Sequence, residues 1–425
     1  MAELGFVRDE NGALCCGGRS VESLVEDARI GTPCYVYDLD GIAAAARSLV
    51  TALGPHGLCA YAVKANGAGP IVRRLVEQGC GIDVVSGGEL RAALACGAPV
   101  DRIVYSGVAK RDDEIDLALG KRIKAIHAES VEELARIAAR ARALGVTATI
   151  GLRINPSVDA ETHVYVATGH DEAKFGIAGG DLPRALESIR VSGGAVRLVG
   201  LSVHVGSQLT RDPYLAGVRA LCDIATSVRG QGIALEYLDT GGGFGVQYRD
   251  EQSPPPPSSF VEPARNELIA RGHGDLQMII EPGRALVASY GVLVARVIQP
   301  KRSSAAGTER RWLLIDAGMN DLIRPALYQA HHRIEPMSRD ASAHVVPWRV
   351  CGPVCESSDD FGEHPLPEPP PELVVIRDAG AYGRSMASAY NARPLAAEIF
   401  VHEGRVEAIR RAPSMEDVVR EELGA

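Results

Sequence analysis

The sequence predicts an α/β protein built as a (β/α)8 barrel of the TIM type followed by an antiparallel β domain, and three observations carry that prediction. A length of 425 residues is nearly three times the ~150 residues of a common domain, so two domains, or one large barrel, are expected. Short β-rich runs alternate with Ala-, Leu- and Arg-rich stretches of helical period across the first two thirds of the chain. After Glu281 the texture changes to alternating apolar and polar positions, the pattern of strands with one buried face.

The β-rich runs are Leu58 to Lys64, Ile82 to Val85, Ile103 to Ser106, Ala125 to Ala128, Ala148 to Ile154, Leu198 to Val205, Leu235 to Thr240 and Gln277 to Glu281. Helical segments lie between them, among them Ile71 to Gln78, Gly88 to Ala95, Asp112 to Leu119, Val131 to Leu144, Leu182 to Arg190 and Tyr214 to Arg229. Eight strands with seven intervening helices in about 240 residues is a barrel's count. A doubly wound sheet competes, but its Gly-rich phosphate turn follows the first strand, whereas here it follows the seventh. The second domain reads as strands at Gly291 to Ile298, Arg311 to Asp316, Val345 to Val350, Glu372 to Arg377 and Ala396 to His402. The segments Ser253 to Ser259, Glu363 to Pro371 and Ser303 to Thr308 read as surface loops.

Hydrophobic residues make up 46% and charged residues 23% of the chain, which excludes a disordered, collagen-like or coiled-coil protein. Lys plus Arg number 45 against 54 Asp plus Glu, a net charge of −9, so no overall positive field draws nucleic acid or an anionic membrane. The longest apolar stretch, Ala285 to Ile298, is too short for a bilayer crossing of about 20 residues. The first thirty residues carry Glu3, Asp9 and Glu10 and do not read as a secretory signal, so a cytoplasmic location is expected. Nine cysteines without metal-ligand spacing read as reduced thiols, and no metal site is expected. Cys15, Cys16, Cys34, Cys59, Cys80, Cys96 and Cys222 read as small buried side chains.

Barrel enzymes carry their chemistry at the carboxyl ends of the strands, and here those ends are polar. Strand one ends in YAVKAN with Lys64, strand two in Asp83 and Ser86, and strand six in HVGSQ with His204 and Ser207. Strand seven runs into GGGFG, Gly241 to Gly245, and strand eight into EPGR, with Glu281, Gly283 and Arg284. Taken singly, Lys64 reads as a rim lysine reaching solvent, GGGFG as a tight loop and His204 as a structural histidine. Together, a lysine amine, a backbone anion cradle that includes Gly242 and Gly243, a flat ring and a carboxylate are what pyridoxal 5'-phosphate requires.

On YAVKAN, DVVSGGEL (Asp83 to Leu90), HVGSQ, GGGFG, EPGR, MNDLIRPALYQAHH (Met319 to His332), CGPVCESSD (Cys351 to Asp359) and GAYGRSMASAYN (Gly380 to Asn391), the chain resembles the fold-type III pyridoxal-phosphate decarboxylases, most of all their diaminopimelate branch. The resemblance covers nearly the whole chain. It implies an alanine racemase-like arrangement, with the barrel over residues 36–284 and a β domain formed by residues 1–35 and 285–425. It also implies that Lys64 attaches covalently to the cofactor, that Gly243 and Ser207 bind its phosphate, that His204 stacks on its ring and that Glu281 faces its pyridine nitrogen. Tyr382 would touch both cofactor and substrate. A homodimer is implied, each site completed by the partner's Cys355 and Glu356.

The activity so implied is decarboxylation of meso-diaminopimelate to L-lysine and CO2. That substrate has an amino-acid group at each end, so Arg284, Arg324 and Tyr328 suit its distal carboxylate and Glu356 its distal ammonium. Alternatives are a related decarboxylase acting on ornithine, arginine, carboxynorspermidine or a carrier-bound amino acid, a racemase on the same barrel, or a non-enzymatic cofactor carrier. The chain departs from the family at Ala389, where asparagine is frequent, in the SPPPPSS insertion and at Ser303 to Thr308.

Overall fold

A computed structural model describes residues 4–156, 174–305 and 308–424. They form two compact units, one of Ala43–Val246 with Pro254–Leu286, the other of the chain up to Ile42, Gln247–Ser253 and Val287 onward.

The first unit is a closed parallel barrel. Its strands are Leu58–Ala62, Gly81–Val84, Ile103–Tyr105, Ala125–Ala128, Ala148–Asn155, Val196–Val203, Tyr237–Asp239 and Gln277–Ile280. Each pairs with the next, and the last pairs with the first through Ile279 opposite Leu58. Strands covered by helices on one side and packed into a barrel on the other must be apolar on both faces, and LCAYA at Leu58–Ala62 is buried at every position. Leu58, Ala60, Val104, Ala125, Val199, Tyr237 and Ile279 form one cluster in its core.

Local sequence fixes where the covering helices begin and end. Ser86 accepts the Glu89 N–H at 3.2 Å and starts the helix Gly87–Ala95, and Ser130 does the same for Val131–Leu144 through the Glu133 N–H at 3.0 Å. Gly145 ends the latter in the left-handed conformation. The helix Val261–Ala270 lies between the last two barrel strands and completes the seven intervening helices expected.

The second unit contains a sheet ordered Asp360–Pro367, Val345–Cys351, Thr308–Ile315, Gly291–Ala305, Cys34–Asp38, Ala397–His402 and Arg405–Arg410, with Ile334–Pro336 and Leu373–Ile376 joined beside this path. It is mostly antiparallel, with parallel pairings of Thr308–Ile315 to Val345–Cys351 and of Ala397–His402 to Cys34–Asp38. Val36, Val292, Val294, Val375 and Ile399 belong to its core.

Two expected loops are strands instead. Ser303–Ala305 extends Gly291–Ala305, with Ser303 opposite Arg310; residues 306 and 307 of that run lie outside the described residues. Glu363 to Pro367 lies in the terminal strand of the sheet, where Pro365 and Pro367 are tolerated because one side of an edge strand needs no ladder donors.

Candidate functional site

In the barrel unit, the register of the first two strands sets Ala62 opposite Asp83. The chain then turns through the 3-10 segment Val63–Ala65, which carries Lys64 past the strand end to an exposed position with its Nζ 3.8 Å from Asp83 Oδ2. Asp83 itself is fully buried, and burial, reinforced by Glu281, pushes its carboxyl up to about 7 against the opposing pull of Lys64.

Glu281 follows the eighth strand directly and stands among groups that composition did not single out. Ser106 Oγ donates to Glu281 Oε1 at 3.3 Å, lies 3.2 Å from His127 Nδ1, and His127 Nε2 is 2.8 Å from the Tyr237 hydroxyl. Burial pushes His127 down to about 3, so the ring is neutral. With Ser106 donating to Glu281, the tautomer that completes the chain carries its proton on Nδ1, donating to Ser106, and accepts from the Tyr237 hydroxyl at Nε2. Burial and the nearby Asp239 hold Glu281 well above the carboxylate range, while burial pushes Asp239 up to about 6. Burial at the floor of the barrel mouth therefore favours the protonated form of both acids. Ligand atoms of His127, Asp239 and Glu281 lie within 4.8 Å of one another, but both His127 nitrogens are already engaged in this hydrogen-bonded chain.

The glycine turn after strand seven is folded back on the neighbouring strand ends. A side chain at Gly242 would place its Cβ 1.9 Å from the Glu281 carbonyl oxygen, and Gly243 (φ +87°) would meet the Gly206 carbonyl oxygen at 2.1 Å. No other residue permits these backbones to approach so closely. Gly242 donates its N–H to His204 Nδ1 at 3.3 Å, which leaves the His204 proton on Nε2. Burial, with Arg153 and Lys64 nearby, holds His204 well below its ordinary range and so neutral. Arg284 donates to Ser207 Oγ at 3.1 Å, and Gly283 packs against Ala62 and Ala65. A flat neutral ring, close backbone amides, an arginine-held hydroxyl, a buried acid and a lysine amine fit pyridoxal phosphate at this mouth.

The remaining expected site residues lie in the second unit. Arg324 opens the short helix Arg324–Tyr328 and is buried; its guanidinium donates to His332 Nε2 at 2.8 Å and lies 4.6 Å over the Tyr248 ring. His332 in turn donates from Nδ1 to the Arg377 carbonyl oxygen at 2.9 Å, which fixes the tautomer that accepts from Arg324. Tyr328 is half-buried on the same helix. Tyr382 is half-buried with a left-handed backbone, φ 55°.

Cys355 and Glu356 are exposed at the tip of the turn that follows Val345–Cys351. The turn is closed by Asp359, whose carboxylate accepts the Val354 and Met319 N–H groups at 2.6 Å each. Of the cysteines expected to be buried, Cys96 is half-buried and the others are buried.

His127 and Asp239 each sit inside a fully buried apolar strand, which is a readable signal for an internal polar group. His332, Tyr248 and Asp359 gave none, because each also meets a group remote in sequence: Arg377, Arg324 and Met319 respectively.

Residues 39–288 match the family model described as pyridoxal-dependent decarboxylase, pyridoxal binding domain. The diaminopimelate decarboxylase of Zymomonas mobilis is 40% identical over 420 residues, covering 97% of each chain. The crystal structure of diaminopimelate decarboxylase from Helicobacter pylori complexed with L-lysine superimposes with a TM-score of 0.86 at 37% identity, over 94% of this chain and 99% of that one. The M. jannaschii diaminopimelate decarboxylase in co-complex with L-lysine gives 0.88 at 32% identity, over 98% and 97%. Among the described residues no helix is long and apolar enough to cross a membrane. With matched sequence spanning both units and the barrel mouth built as described, the chain belongs to the diaminopimelate decarboxylase family of pyridoxal-dependent decarboxylases.

Proposed function

We propose that this chain is a carbon–carbon lyase that decarboxylates meso-2,6-diaminopimelate to L-lysine and CO2, the last step of lysine biosynthesis, using pyridoxal 5'-phosphate in the cytoplasm. The observation that carries the reading is the grouping of Lys64, Asp83 and Glu281 with the folded-back glycine turn at one barrel mouth. The cofactor, when bound, accepts the electron pair released as the carboxylate leaves.

Lys64 would supply the amine that holds the cofactor. Glu281, kept in place by Ser106, would face the pyridine nitrogen, and neutral His204 would lie against the ring. Gly242, Gly243, Ser207 and Arg284 form the anion end. Arg324 and Tyr328 would bind the distal carboxylate of the substrate, Tyr382 would touch both cofactor and substrate, and Glu356 would take the distal ammonium. Cys355 delivers a proton to the carbon that has lost CO2. Cys355 and Glu356 are open to water in one chain, which supports a homodimer in which each site is completed by the other copy.

Purified protein loaded with pyridoxal phosphate and given separate stereoisomers of diaminopimelate, ornithine, arginine and carboxynorspermidine tests the reading. CO2 and lysine from the meso isomer are expected. Turnover of ornithine alone, or racemisation without gas release, would overturn it.

A further inference from the structure

Two adjacent residues of one turn hold two adjacent residues of another. Asn391 Oδ1 accepts the Cys355 N–H at 3.0 Å, and the Tyr390 hydroxyl donates to Glu356 Oε1 at 2.6 Å. Asn391 adopts φ 58°, a left-handed conformation that asparagine tolerates better than most residues. Asp359 has already fixed the backbone beneath that tip through Val354 and Met319.

An exposed glutamate with no tether samples many rotamers, and a short O–H···O⁻ bond removes that freedom. The Tyr390 ring is itself 45% exposed, so the contact is not a by-product of core packing. The hydrogen bond to Glu356 raises the Tyr390 hydroxyl above its ordinary range, which keeps it a donor at working pH.

We propose that Tyr390 is a specificity-determining positioning residue: its hydroxyl aims the Glu356 carboxylate at the distal ammonium of the substrate, so it selects for substrates that carry that ammonium. The proposal rests on the reading of Glu356 given above, which the experiment tests separately. Asn391 is the companion that fixes the backbone of the same tip.

The test compares the wild-type holoenzyme with Tyr390→Phe and Glu356→Gln on two ligands, meso-diaminopimelate and (R)-2-aminopimelate. The second keeps the reacting end and distal carboxylate but lacks the distal amine; its binding is read as KM or, if it is not turned over, as an inhibition constant. Tyr390→Phe is expected to raise KM for meso-diaminopimelate about tenfold, to leave kcat within about twofold, and to leave aminopimelate binding unchanged. Glu356→Gln is expected to show the same selective loss, at least as large. Equal losses on both ligands in Tyr390→Phe would mark a merely structural residue and overturn the proposal. No effect in Tyr390→Phe alongside selective loss in Glu356→Gln would overturn it while leaving Glu356 in its role. Glu356→Gln without selective loss would remove the reading beneath it.

Discussion

The Lys64 ammonium lies 3.8 Å from a carboxylate oxygen of Asp83, a side chain with no exposure to solvent. Burial outweighs this ion pair, because Asp83 is pushed up to about 7 rather than down. Between the unfolded value of about 4 and the folded value the native chain keeps a proton that the unfolded chain has released. The contribution of Asp83 to stability is therefore fully present below about pH 4 and is lost as pH rises through 7. In cofactor-free protein, Asp83→Asn is expected to flatten the decline of melting temperature over this window. An unchanged pH profile would show that Asp83 does not hold the proton.

Gly243 combines φ +87° with a carbonyl oxygen 2.1 Å from where a Cβ would stand. Gly243→Ala must strain the turn or move it, at about 1–3 kcal/mol. Cofactor affinity, measured by absorbance titration, is expected to fall about tenfold or more. Retained affinity would mean that the turn is not part of the anion end.

Arg324 owes its orientation to His332, which can accept only because its Nδ1–H is committed to the Arg377 carbonyl. His332→Ala is expected to raise KM for meso-diaminopimelate about tenfold with kcat little changed, as steady-state kinetics would show. A loss confined to kcat would argue against a binding role for Arg324.

Cys355 is an exposed thiol whose only described tether is its backbone N–H on Asn391. Cys355→Ala is expected to lower kcat by about 10²-fold or more while the cofactor spectrum stays as in wild type. Full activity would assign the proton to another group.

The eight barrel strands were legible because a covered parallel strand is apolar on both faces, as in LCAYA at Leu58–Ala62 and AIHA at Ala125–Ala128. The strand-end residues Lys64, Asp83, His204 and Glu281 followed once those strands were counted. Edge strands were less legible: Pro365 and Pro367 read as loop, yet an outer strand tolerates them. The resemblance implied that the N-terminal segment joins the second domain, and Cys34–Asp38 lies in that sheet between Gly291–Ala305 and Ala397–His402. His127 was readable in AIHA, but its partners, and those of Glu356, were hidden because they are remote in sequence. Ser106, His127 and Tyr237 come from three strands, and Tyr390 meets Glu356 across 34 residues.

Every role proposed at the barrel mouth depends on the Lys64 amine carrying the cofactor. Borohydride reduction of the holoenzyme, followed by peptide mass analysis, tests it most directly. The pyridoxyl mass is expected on the peptide containing Lys64 and absent from a Lys64→Ala protein; a label on Lys110, Lys174 or any other lysine, or a yellow and active Lys64→Ala protein, would contradict the account.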